Sequence, residues 1–183
     1  MEVEQIPVPS VDLTAAQIRL PDRAVLVVSV YVEGGNDEAL EAAMGELDRL
    51  IRRFRDGTGT RTDVVLAGDF NRHDQLWGGV DVSPLRQGEG DHIVNLMDEH
   101  SLCSLLPRGT KTWQSGDAES TIDLVLASAE LADQLLRCRI HPCDHGSDHR
   151  AIETTFDIAV EDRLSRHDQC AAIPLAMFPE GYK

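Results

Sequence analysis

The chain has 183 residues, 42% apolar and 27% charged, the proportions of one globular domain that buries a core and not of a disordered, collagenous or coiled-coil chain. Its 32 acidic against 17 basic residues leave a net charge of −15, which opposes long-range attraction to nucleic acid or anionic lipid, so a phosphate-handling site would need help from a metal ion. No apolar run approaches the ~18 residues of a membrane span, and residues 1–10 lack the basic and apolar regions of a secretory signal, so no membrane partner and an intracellular location, nuclear or cytoplasmic, are expected.

Residues 11–20 alternate loosely between apolar and polar, Pro21-Asp22 supplies a turn, and residues 23–32 form a β-branched run; together they predict an antiparallel hairpin. The strongest helix follows. Asn36 is its expected N-cap, Asp37 and Glu38 suit the positive end of the helix dipole, and Arg52, Arg53 and Arg55 suit the negative end. Leu40, Ala43, Met44, Leu47, Leu50, Ile51 and Phe54 recur at helical spacing, one face for a sheet. Residues 56–60 stop the helix, and 63–67 predict a short strand buried on both faces. A polar, glycine-rich stretch over 72–90 has the length of a functional loop. Asp91 is expected to cap a helix that buries Ile93, Leu96, Met97 and His100. Short extended pieces at 103–106 and 111–113, a strand at 121–127, a short helix at 129–136 and strands at 137–140 and 151–158 complete a domain over 11–158. Residues 159–183 read as a tail, with a weak sticky patch at 174–177. Helices alternating with strands, with hairpins among them, predict an α/β (α+β) fold around a mixed sheet.

The four cysteines, Cys103, Cys138, Cys143 and Cys170, show no CxxC pair and no disulfide framework, and read as free thiols. The C-x4-C pair at Cys138 and Cys143 lacks a second pair at zinc-site spacing. Cys143-Asp144-His145 offers one cysteine and one histidine without further ligands.

Polar residues recur at predicted strand ends. Asp69 and Asn71 close one strand, Asp123 sits in another, and Asp148-His149 precedes a third. Strand ends on one edge of an α/β sheet converge on a crevice, so these residues can share one site. Carboxylates and an amide oxygen are hard ligands for Mg²⁺ or Mn²⁺, and a histidine beside a buried aspartate is held as a donor. Such a set can place an ion, orient a water and stabilise negative charge on a phosphoryl group.

In this order, Gly68-Asp69-Phe70-Asn71, Ser120-Thr121-Ile122-Asp123-Leu124-Val125 and Gly146-Ser147-Asp148-His149-Arg150-Ala151 resemble the late motifs of the endonuclease/exonuclease/phosphatase superfamily. The continuation Asn71-Arg-His-Asp-Gln-Leu-Trp-Gly78 is similar to the branch found as the endonuclease domain beside reverse transcriptases in non-LTR retrotransposons. The resemblance implies a four-layer sandwich, two mixed β-sheets face to face with helices outside, and metal-dependent hydrolysis of a phosphodiester with DNA as substrate, Mg²⁺ or Mn²⁺ as cofactor and a reverse transcriptase in a parent polyprotein as partner. By the same resemblance Asp69 orients or deprotonates the attacking water, Asn71 is its partner at the phosphate, His149 contacts the phosphate, Asp123 fixes that histidine, and Asp148 is the late metal-site aspartate. Tyr31 falls where the family commonly carries a phosphate-reaching tyrosine, although Val30 stands where an asparagine often precedes it.

Two family features lie upstream of the matched region: a first strand carrying an asparagine, and a strand ending in a Gln-Glu pair whose glutamate is the principal metal ligand. Glu4-Gln5 has the reversed order. The resemblance therefore covers the carboxyl-terminal part of the domain, lacking its N-terminal strands, and implies weak Mg²⁺ binding, an open sheet edge and an exposed apolar face. Three readings remain open: a retroelement-type endonuclease, an inactive remnant acting as a binding module, and a phosphatase or lipid phosphodiesterase. Of the remaining features, His73 and Asp74 read as a polar loop, Trp77 as a loop anchor in preference to a base-stacking platform, and Trp113 as core packing.

Overall fold

The computed structural model describes residues 1–158; the expected tail at 159–183 and its sticky patch lie outside the described residues. A six-stranded mixed sheet forms the frame. β1 (Glu2–Ile6), β2 (Leu13–Arg19) and β3 (Arg23–Tyr31) make an antiparallel meander. The crossover helix α1 (Asp37–Gly57) then returns the chain to place β4 (Arg61–Asp69) parallel to β3. β8 (Asp123–Ser128) runs antiparallel to both β4 and the short β5 (Leu102–Ser104).

Helix α1 forms where its sequence pattern places it. The Asn36 side chain accepts from the Ala39 amide, Asp37 and Glu38 occupy the first turn, and all seven periodic apolar side chains are buried. They share a core with α3 (Asp91–His100) and with Leu26, Val28, Leu66, Leu124 and Leu126 on one sheet face. Burial of such side chains contributes about 1.5–3 kcal/mol each before chain entropy is charged. Asp91 is not the cap of α3. The capping position is Gly90, where a Cβ would stand 2.6 Å from the Trp77 ring, and Asp91 lies in the first turn with its charge facing the helix dipole.

Val25, Val65, Val125 and Ala127 on the opposite sheet face pack with Leu131 of α4 (Ala129–Ala132) and Phe156. Phe156 ends β10 (Ile152–Phe156), which pairs antiparallel with β9 (Leu135–Ile140) as a two-stranded second sheet. The fold is therefore a mixed α/β sandwich with helices flanking a large mixed sheet, as the sequence implies. The second sheet is antiparallel and two-stranded among the described residues. Its face of the large sheet is not bare, since Ile18, Val25, Val65 and Val125 are all buried. A third strand pair, β6 (Trp113–Ser115) with β7 (Ala118–Ser120), forms a small hairpin ahead of β8.

The polar stretch over 72–90 is a structured connection. Asp74 caps the single turn α2 (Gln75–Gly78) by accepting from the Leu76 amide. Trp77 is 2% exposed, with its indole N–H donated to the Arg72 carbonyl, so it anchors the loop as expected.

Candidate active site

The site lies at one end of the large sheet, where the register sets Tyr31, Asp69 and Asp123 side by side on β3, β4 and β8. Asp69 reaches this row because Gly68 precedes it. Gly68 has φ +149, and a Cβ there would lie 1.9 Å from the Val30 carbonyl oxygen of the adjacent strand. One Asp69 oxygen accepts from the Asn71 amide at 2.9 Å and the other from Asn71 Nδ2 at 2.7 Å. Asn71 Nδ2 also donates to the Val32 carbonyl. The price of this clamp is a left-handed backbone at Asn71, φ 49, which asparagine tolerates better than most residues.

Asp123 opens β8 and its side chain is 1% exposed. Both of its carboxylate oxygens lie 3.0 Å from His149 Nδ1. The far edge of the same imidazole, Nε2, stands 4.0 Å from Asp69 Oδ2. His149 is steadied by a bridge to Trp113 and by its amide donating to Ser147 Oγ. A residue that the sequence pattern did not mark supports the row from beneath. The fully buried Thr112 accepts at Oγ1 from the Ile122 and Asp123 amides at 3.1 and 3.0 Å. A single threonine outside any motif carries no sequence signal of such a role.

Burial raises the Asp69 carboxyl to about 6, the negative charge of Asp123 pushes in the same direction, and the Asn71 and His149 contacts oppose both. Burial also raises Asp123, against the pull of His149 and Thr112. Two carboxylates and an imidazole thus offer donor atoms all within 4.8 Å of one another. Oxygen-rich donors of this kind suit a hard divalent cation, and the charge that burial disfavours is the charge that such a cation would offset.

The remaining expected residues lie apart from this cluster or at its rim. Tyr31 ends β3 beside Asp69 with its side chain half exposed. Asp148 is exposed; its Oδ2 accepts from the Trp113 indole at 3.0 Å, which holds the carboxyl below its usual range. Trp113 is therefore a half-buried hydrogen-bond donor and not a core residue. His73 faces Arg86 and Glu89. Glu4 pairs with Arg19 on β1, opposite Gln17, five register rows from the Asp69 row, or about 16 Å along the strands. A second acidic and histidine group, Asp48, Glu99 and His100, ties α1 to α3, with Arg52 donating to both acids.

A sequence profile described as endonuclease-reverse transcriptase matches residues 25–153. No match is found among curated protein sequences. Among solved structures, the fold is similar to the endonuclease domain of TRAS1, a telomere-specific non-LTR retrotransposon, at 21% identity and a TM-score of 0.67, over 82% of this chain and 64% of that one. It is also similar to the 3′ phosphatase NExo from Neisseria bound to a product DNA hairpin, at 20% identity and a TM-score of 0.62, covering 85% of this chain and 70% of that one. The catalytic domain of Xenopus laevis APE2 matches at 18% identity and a TM-score of 0.63, over 79% of this chain and 55% of that one. The chain thus spans just under two thirds of the length of the retrotransposon domain, and at these identities the likenesses speak for the fold.

Proposed function

This chain belongs to the endonuclease-reverse transcriptase family of the endonuclease/exonuclease/phosphatase superfamily, and from that membership we propose that it is a divalent-metal-dependent DNA endonuclease of retroelement type. Hydrolysis of phosphodiesters is the family-level activity. The observation that carries the reading for this chain is the row Asp69, His149, Asp123, with an imidazole bonded on one edge to a buried carboxylate and facing a second carboxylate on the other. Such a row suits attack of water on phosphorus.

Asp69 is the proposed group that orients the attacking water and, above its pKa of about 6, accepts the proton. Asn71 keeps that carboxylate aimed, with both of its amide hydrogens given to Asp69 and to the Val32 carbonyl. Asp123 fixes His149 at Nδ1, which leaves the other edge of the ring for a phosphate oxygen. Tyr31, half exposed at the rim, is the proposed further contact to the same phosphate. Mg²⁺ or Mn²⁺ would be held where the carboxylates of Asp69 and Asp123 meet, while Asp148, which the resemblance gives as the metal-site aspartate, is bonded to Trp113 at the rim. When bound, the ion supplies positive charge at the scissile phosphate. A reverse transcriptase encoded in the same polyprotein is the proposed partner, in keeping with the family's description.

Nicking of supercoiled plasmid DNA tests the reading. Cleavage should need Mg²⁺ or Mn²⁺, stop with chelator, and fall by about two to four orders of magnitude in Asp69→Ala and Asp123→Asn. His73→Ala, away from the row, should change it little. Undiminished nicking in chelator would overturn the metal requirement. DNA binding without nicking in Mn²⁺ would favour the inactive binding module, and release of phosphate from monoesters or lipids but not DNA would favour the phosphatase.

A further inference from the structure

The loop between β9 and β10 carries two histidines and a cysteine outside the row of Asp69, His149 and Asp123. In sequence it reads His141-Pro-Cys143-Asp144-His145, and the fold folds it back on itself. His145 Nε2 comes within 3.4 Å of His141 Nδ1, with the rings tilted at 39° and their centroids 5.2 Å apart. Two imidazole nitrogens bound to one tetrahedral Zn²⁺ at about 2.0–2.1 Å stand about 3.3–3.4 Å apart, so the observed separation is the span of a two-histidine chelate. Cys143, between them, is exposed and free of any disulfide. The three residues line a cleft of about 350 Å³ that Asp144 and Asp148 share.

We propose that His141, His145 and the Cys143 thiolate form a binding site for a Zn²⁺-class transition-metal ion, distinct from the oxygen-rich site at Asp69 and Asp123. An isolated Cys-x-His pair supplies too few ligands, and His141 becomes the third only because the loop turns. At present the Cys143 amide donates to His141 Nδ1 at 3.2 Å. That bond is exposed, so the amide can turn to water when Nδ1 takes a metal, while the thiol swings inward and gives up its proton. Imidazole and thiolate select Zn²⁺ or Co²⁺ over Mg²⁺, so the two sites are filled by different ions.

Titration of the full-length, metal-free protein with Co²⁺, in excess Mg²⁺ to occupy oxygen sites, tests the proposal. Saturation at one equivalent with a thiolate-to-cobalt charge-transfer band, displaced by Zn²⁺, is expected. Cys143→Ser should abolish the band, and His141→Ala and His145→Ala should each weaken binding by about tenfold or more. Circular dichroism of all three variants should match the wild type, because the loop is exposed. A wild type without the band, a band that survives Cys143→Ser, or two histidine variants that bind as the wild type does would overturn it.

Discussion

Asp69→Asn should stabilise the metal-free protein, by an amount that grows with pH. The Asp69 carboxyl is raised from 3.8 to about 6 by burial and by Asp123, and its side chain is only 13% exposed. A carboxyl whose pKa is raised by folding gives its full stabilisation below 3.8, where it is protonated in both states. That stabilisation is lost as pH rises through 6, because the folded state must then hold the charge. The full difference corresponds to about 3 kcal/mol, of which about 1.4 kcal/mol falls between pH 5 and pH 8. Asparagine removes this cost but has one acceptor oxygen where aspartate has two, so one of the two bonds from Asn71 is lost, worth about 1 kcal/mol. The variant should therefore be more stable by about 2 kcal/mol at pH 8 and by about 0.6 kcal/mol at pH 5. At pH 8 the gain is a rise in Tm of roughly 4–8 °C for a chain of this size. Chemical denaturation of both proteins in chelator at pH 5, 6, 7 and 8 measures it. A stability difference that stays flat, or that shrinks as pH rises, would refute the assignment of Asp69 as a carboxylate ionised at a cost.

Gly68→Ala should destabilise the protein by about 3 kcal/mol or more, because a Cβ 1.9 Å from the Val30 oxygen must push β3 and β4 apart; a urea midpoint equal to the wild type's would show that the strands yield. Thr112→Val should cost about 1–3 kcal/mol by leaving two buried amides without an acceptor, and Thr112→Ser should restore most of it; equal losses in both variants would point to packing instead. DNA affinity should depend weakly on salt. Lys111 and Arg150 beside the site are already answered by Asp81 and Glu119, so the log–log slope should be shallower than about −3, and a slope near −6 would show those pairs exchanging acids for phosphates.

The elements legible in the sequence are those whose burial is one-sided and periodic. Helix α1 wrote its seven core positions and its Asn36 cap into the chain, and β3 announced itself by a run of β-branched residues. β1 is not legible in the sequence because an edge strand with four of its five residues exposed, Glu2, Val3, Glu4 and Gln5, carries no apolar alternation. Its pairing comes from backbone bonds to β2 that side-chain identity does not encode. The α3 cap is hidden for a related reason. Asp91 has the right chemistry, but the space beside Trp77 admits only a glycine at the capping position, and that tertiary contact is not visible from the local pattern.

The row of Asp69, His149 and Asp123 divides along the same line. Asp69, Asn71, Asp123 and His149 stood in motifs because each has to meet the others across strand ends, and β8 pairing with β4 brings Asp123 opposite Asp69. Thr112 stood in none, since its work is to satisfy two amides that only the folded backbone brings together. Asp148 sits next to His149 in the chain, yet its carboxylate is tied to Trp113, so adjacency in sequence does not become adjacency of side chains. The same geometry explains His141 and His145. Four residues apart, they meet only because the loop turns back between Pro142 and Asp144, a bend that spacing alone does not specify. Residues that act through fixed strand register are thus readable before the fold is known, while those that act through a turn or a buried amide emerge only with it.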